Sequence, residues 1–169
     1  MFRKVDDFLQ MWEPECQAMK NLLGTLTDSS LSHSAAPDDR TIGRVAWHIT
    51  AEPYEMARMA GLPLLGPNSD SPVPATAKEI KEHYDAMSKA LADAVRANWK
   101  DDSLLVVDDM FGGMYKWPRG VTLMMMIVHQ AHHRGQVATL LRNAGIVPTP
   151  IYGPTREAWA GMGMPAPAV

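Results

Sequence analysis

Three of the six histidines stand together in the stretch VHQAHHRGQ, as His129, His132 and His133. If that stretch is helical, His129 and His133 lie about 40° apart around the axis and one turn apart along it, so both imidazoles reach a single ion from one face. His132, three residues after His129, is also on this side. Both pairings are geometrically available, and 129/133 is the favoured one. Neutral imidazole suits zinc, nickel, copper or iron(II), and two nitrogen ligands rarely complete a site. The best third ligand is His48, which in RVAWHIT falls between Val45 and Ile49 on an apolar helix side and so points into a bundle. His33 sits in a polar linker and His83 among Lys81, Glu82 and Asp85, both solvated settings. The competing readings of the cluster are a histidine-rich core that hydrogen-bonds carboxylates on the first or third helix, and surface histidines that matter only to crystal packing or purification.

The spacing H-x-x-x-H invites comparison with the metalloprotease motif H-E-x-x-H, but the second position is Gln130, which cannot act as the general base. Proteolysis is therefore disfavoured. Glu52 and Glu55, one and two turns after His48, are candidates for an extra ligand or base, in directions that Pro53 leaves open. Gln136, three residues after His133, is placed to orient a ligand histidine or a bound water. Arg134 reads as a buried salt bridge closing the bundle. Cys16, the single cysteine, reads as a small core hydrophobe without the cationic setting that thiolate chemistry needs. Met124, Met125 and Met126 point in different directions around a helix and so fill core volume. Trp47, Tyr54, Trp117 and Tyr152 are likewise core candidates, with a pocket lining as the second option.

Helical periodicity supplies the elements that must hold these residues. A first helix is predicted from Phe2 to Leu26, kinked at Pro14. A second spans Thr41 to Met59, with Ile42, Val45, Ile49, Met56 and Met59 as its apolar stripe and a kink at Pro53. The proline-rich stretch 62–75 is a loop. A third helix runs from Thr76 to Trp99 and opens with Thr76 three residues before Glu79, the capping-box spacing. LLVVDDMFGGMYKW reads as a small hairpin around Gly112 and Gly113. The fourth helix begins between Pro118 and Thr122 and ends at Gly145, and the tail from Pro150 holds too many Pro and Gly for another long helix. The expectation is a single all-α domain over residues 1–169, a four-helix bundle with a long loop between helices 2 and 3 and a hairpin between helices 3 and 4.

Composition agrees with a packed soluble chain: 46% hydrophobic, 21% charged, formal net charge -3. The acidic balance and the lack of a basic cluster interleaved with aromatics argue against nucleic acid. Asp6 and Asp7 interrupt any signal peptide, no run approaches the length of a membrane span, and one cysteine suits a reducing cytoplasm.

TIGRVAWHI, the VHQAHHRGQVATLLRNAG block and VPTPIYGP, in that order, resemble the DinB-like superfamily of bacterial four-helix-bundle metalloenzymes. The resemblance implies His48, His129 and His133 as ligands of one divalent ion, zinc or nickel before others, with His132 a neighbour. It further implies a cytoplasmic homodimer and does not imply DNA binding; a small-molecule substrate is expected. Members of known activity are metal-dependent thiol transferases and isomerases that use bacillithiol, mycothiol or glutathione. Three neutral ligands leave the ion's charge undiminished, so a bound thiol or water loses its proton more readily. Alternatives are a metal-dependent hydrolase and a non-catalytic protein that binds a small ligand.

Overall fold

The computed structural model describes residues 1–168 and is dominated by four long helices. They are α1 (Val5–Leu23), α2 (Ile42–Met59), α3 (Ala77–Asn98) and, after a hairpin of β1 (Val107–Met110) and β2 (Tyr115–Pro118), α4 (Arg119–Asn143). A single turn, α5 (Ala158–Gly161), lies in the tail. Antiparallel pairing of Asp108 with Trp117 and of Met110 with Tyr115 gives the hairpin its register.

The starts of α2 and α3 have causes in nearby residues. Thr76 and Glu79 form the reciprocal box anticipated from their spacing, with Glu79 N–H donating to Thr76 Oγ1 (3.2 Å) and Thr76 N–H to Glu79 Oε2 (3.1 Å). Thr41 caps α2 by accepting from Arg44 N–H at 3.1 Å. The next two free N–H groups of α2, on Ile42 and Gly43, donate to the carbonyls of His33 (2.8 Å) and Leu31 (2.9 Å). The linker thus clamps the start of α2, and at Gly43 a Cβ would press on Leu31 O at 3.0 Å. Through this clamp the linker sets where His48 emerges.

α1 is shorter at both ends than its periodicity predicts. Phe2 N–H donates to Gly120 O (3.1 Å), which draws the first residues away as an extended arm along α4, and Val5 N–H is capped instead by Asp101 Oδ1 (2.9 Å). Gly120 has to be glycine here, because a Cβ would collide with the Phe2 carbonyl oxygen. The helices continue through Pro14 and Pro53. At Pro14 the residue is exposed, as is Gln10 whose carbonyl loses its partner, so water satisfies that group.

Trp12 Nε1–H donates to Ser88 O (2.9 Å), Val5 pairs with Asp101, and Arg134 reaches Glu15. These pairs run α1 antiparallel to α3 and parallel to α4. α2 packs against α3 and α4, diagonally across from α1. One continuous core joins the four helices, with Phe8, Met19, Leu22, Ile42, Ile80, Met87, Leu91, Leu123 and Leu141 wholly buried. Among the described residues no helix is long and apolar enough to cross a membrane.

Candidate metal centre

The buried side of α4 carries Gln130, His133 and Arg134 among its apolar residues. Two of these serve the bundle. Arg134, fully buried, donates to Glu15 O (2.9 Å) and Glu15 Oε2 (2.7 Å), and Tyr152 from the tail adds its hydroxyl to both Glu15 carboxylate oxygens, at 2.8 and 2.6 Å. The Tyr84 hydroxyl donates to Gln130 Oε1. Cys16, buried beside Tyr84, has its thiol pushed up to about 12 by burial.

His133 faces the other way, toward α2. Its Nε2 lies 3.0 Å from His129 Nε2, and the two ring centroids are 4.4 Å apart, the one-turn spacing read from the sequence. His48 comes across from α2, with its ring centroid 5.1 Å from that of His129 and 4.8 Å from that of His133. The three rings stand nearly perpendicular to one another, at 77°, 86° and 88°. Each offers one nitrogen such that these atoms all lie within 4.8 Å of one another, a group that could hold a metal ion. His132, exposed on α4 with its ring 4.9 Å from that of His133, falls outside the group, as do the half-buried His33 and the exposed His83.

The outer nitrogens have acceptors. His133 Nδ1 sits 2.6 Å from Gln136 Oε1, and His129 Nδ1 lies 3.4 Å from Glu52 Oε2 on a side chain only 8% exposed. A proton on His133 Nδ1 satisfies Gln136 and leaves the His133 Nε2 lone pair free for an ion. Burial, with the neighbouring histidines adding repulsion, lowers His48 to about 4. Burial likewise lowers His133 to about 4 against the opposing hydrogen bond from Gln136. Both rings are therefore neutral at physiological pH, the form that ligates. Glu55 is engaged elsewhere: its carboxylate accepts from the N–H and the hydroxyl of Ser69, pinning the α2–α3 loop.

α2 and α4 pass each other antiparallel, and the triad splits the groove between them. Toward the α2 N-terminus opens a polar cleft of about 670 Å³ with Arg40, His132, His133, Gln136 and Asn143 on its walls. Toward the α2 C-terminus lies a smaller, apolar cleft of about 220 Å³ where Met56, Met125, Phe111 and Trp117 meet His48 and His129. Of the residues lining this cleft, sequence reasoning placed Met56 and Met125 in the core only and missed Phe111 altogether. Its one signal was position, immediately before Gly112–Gly113 in the hairpin turn. Of the other pocket candidates only Trp117 lines a cleft, whereas Trp47 and Tyr54 are buried in the fold and Tyr152 braces Glu15.

The DinB family profile matches residues 1–167 of this chain. Among curated proteins, the chain is 39% identical over 167 residues to the uncharacterized protein YrdA of Bacillus subtilis (strain 168), with 99% of each covered. A solved DinB-like protein from Bacillus cereus ATCC 10987 superposes with a TM-score of 0.85 at 38% identity, covering 90% of this chain and 100% of that one. A second, the DinB-like protein YjoA of Bacillus subtilis, gives 0.67 at 11% identity, covering 88% and 99%, a likeness of fold alone.

Proposed function

We propose that this chain, which belongs to the DinB family, is a metal-dependent enzyme of thiol chemistry, an S-transferase or isomerase that works with a low-molecular-weight thiol. The observation that carries the proposal is the donor set: three imidazoles and no carboxylate, two of them with their outer nitrogens tied to Glu52 and Gln136. This set fits zinc or nickel, which take three histidines and keep a position open in catalytic sites. Held by His48, His129 and His133, such an ion would supply a Lewis-acidic centre that eases loss of a proton from a thiol or a water.

The chain's own residues do the rest. His48 and His133 are held neutral by burial, so little proton competition opposes binding near pH 7. Gln136 fixes the His133 ring before anything binds, and the Glu52 carboxylate stands beside His129 Nδ1, an arrangement that would reduce the reorganisation binding requires. The smaller cleft presents Met56, Met125, Phe111 and Trp117 beside His48 and His129, an apolar setting that would suit an organic electrophile better than water. A metal-dependent hydrolase is the second reading, favoured by the openness of the polar cleft to solvent; a non-catalytic small-ligand protein is the third. The family resemblance also supports a cytoplasmic homodimer.

The test compares metal-loaded protein with a metal-free sample. Conjugation of an electrophile to bacillithiol, mycothiol or glutathione should depend on the metal and vanish in His48→Ala. Robust metal-dependent ester hydrolysis with no thiol consumption would assign the hydrolase reading instead.

A further inference from the structure

The smaller cleft has an unusual wall. Phe111 adopts a positive φ of 53°, a left-handed conformation that residues other than glycine rarely take and that clusters at ligand sites. Its N–H donates to Met59 Sδ at 3.4 Å, tying the hairpin turn to α2. Its ring meets Trp117 edge-on with centroids 5.9 Å apart, and Trp117 in turn stacks on Tyr115 at 5.0 Å. The strained backbone places an aromatic ring over the open side of His48 and His129, although the ring is 36% exposed and contributes little to the core.

We infer that this cleft is a subsite for a small apolar group, a single aromatic ring or a branched alkyl of similar size, and that Phe111 sets its size limit. Two thioethers, from Met56 and Met125, and two aromatic rings form the apolar part of the lining, surfaces that favour ring edges and polarizable groups, while Glu52, Glu55 and Ser69 line the rest beside the histidines. The cleft, at about 220 Å³, falls below the ~300–1,000 Å³ typical of drug-sized ligands, so it covers only a small group, and a second fused ring would have to extend past Phe111. The polar partner belongs on the opposite side of the triad, with Arg40, Gln136 and Asn143. As a subsite for the electrophile the assignment rests on the thiol-transfer proposal, but the binding itself does not.

Methyl NMR of methionine-labelled protein, metal-free and zinc-loaded, titrated with benzyl alcohol, tests the inference. Saturable shifts are expected at the Met56 and Met125 methyls, with the core residues Met19 and Met87 unmoved. 2-Naphthylmethanol should bind far more weakly. Phe111→Gly removes the ring at a backbone angle glycine adopts without strain, so the fold is kept. This variant should bind benzyl alcohol roughly tenfold more weakly, about the worth of one lost aromatic contact, and narrow the preference for one ring over two. Met125→Trp, which fills the cleft, should abolish the shift at the Met56 methyl. No saturable shift at Met56 and Met125, equal shifts at Met87, or an undiminished affinity in Phe111→Gly overturns the inference. Ring binding without thiol transfer would sink the transferase proposal and leave the subsite standing; thiol transfer without ring binding would do the reverse.

Discussion

Glu52 Oε2 lies 3.4 Å from His129 Nδ1, while His129 Nε2 faces His133 Nε2 at 3.0 Å. The carboxylate therefore stands against the nitrogen away from the cluster, where it would orient His129 as a ligand and would not itself be one. Glu52→Ala should weaken zinc affinity about 10–100-fold while leaving the helical signal intact, the usual effect of removing such a partner. Competition with a chromophoric chelator measures it. An unchanged affinity would show that Glu52 does not orient His129.

The lowered values of His48 and His133 set an acid limit on the metal-free fold. In the unfolded chain both rings titrate near the ordinary 6.5, whereas in the folded chain they do so at about 4. Between these values the unfolded state binds more protons, so stability falls as pH drops from about 6.5 toward 4 and is unaffected by these groups above it. Urea unfolding of metal-free protein at pH 7 and pH 5 should show this loss, and the double variant His48→Gln, His133→Gln should show less of it. An equal loss in both proteins would contradict the assignment.

Arg134 and Glu15 form a buried ion pair at 2.7 Å. Arg134→Ala leaves the Glu15 carboxylate without its counter-charge in the interior and should cost about 3–5 kcal/mol of stability. Denaturant midpoints check it. A loss below about 1 kcal/mol would mean that Tyr152 and water suffice.

Gly120→Ala should destabilise the fold by about 1–3 kcal/mol, although alanine is the better helix former, because the added methyl meets the Phe2 carbonyl. Removing the N-terminal arm in the same variant should recover part of the loss. Thermal unfolding of the two variants distinguishes this from a simple propensity effect, which would stabilise.

The bundle was legible because its apolar spacings of three and four residues persist over long stretches, and the box at Thr76 and Glu79 depends only on local sequence. The same period brings His129 and His133 together without any tertiary information. His48 was readable from its apolar flanks, Val45 and Ile49, since a buried stripe has only one interior to face. Glu52 was not readable in direction, because it immediately precedes Pro53 and its partner lies on another helix. Phe111 was less visible still: its place beside the triad depends on how the hairpin lies across α2, which no local pattern encodes. Likewise the short N-terminal end of α1 follows from its arm pairing with Gly120, a contact more than a hundred residues away in sequence.

The central claim is that His48, His129 and His133 together hold a metal ion. Elemental analysis of protein purified without a histidine tag, repeated on His48→Ala and His133→Ala, tests it most directly. The expected result is about one equivalent of zinc or nickel per chain, consistent with one three-histidine group, and its loss in both folded variants. Metal content unchanged in either variant, or a wild-type protein that takes up no divalent metal even when zinc and nickel are supplied, would contradict it.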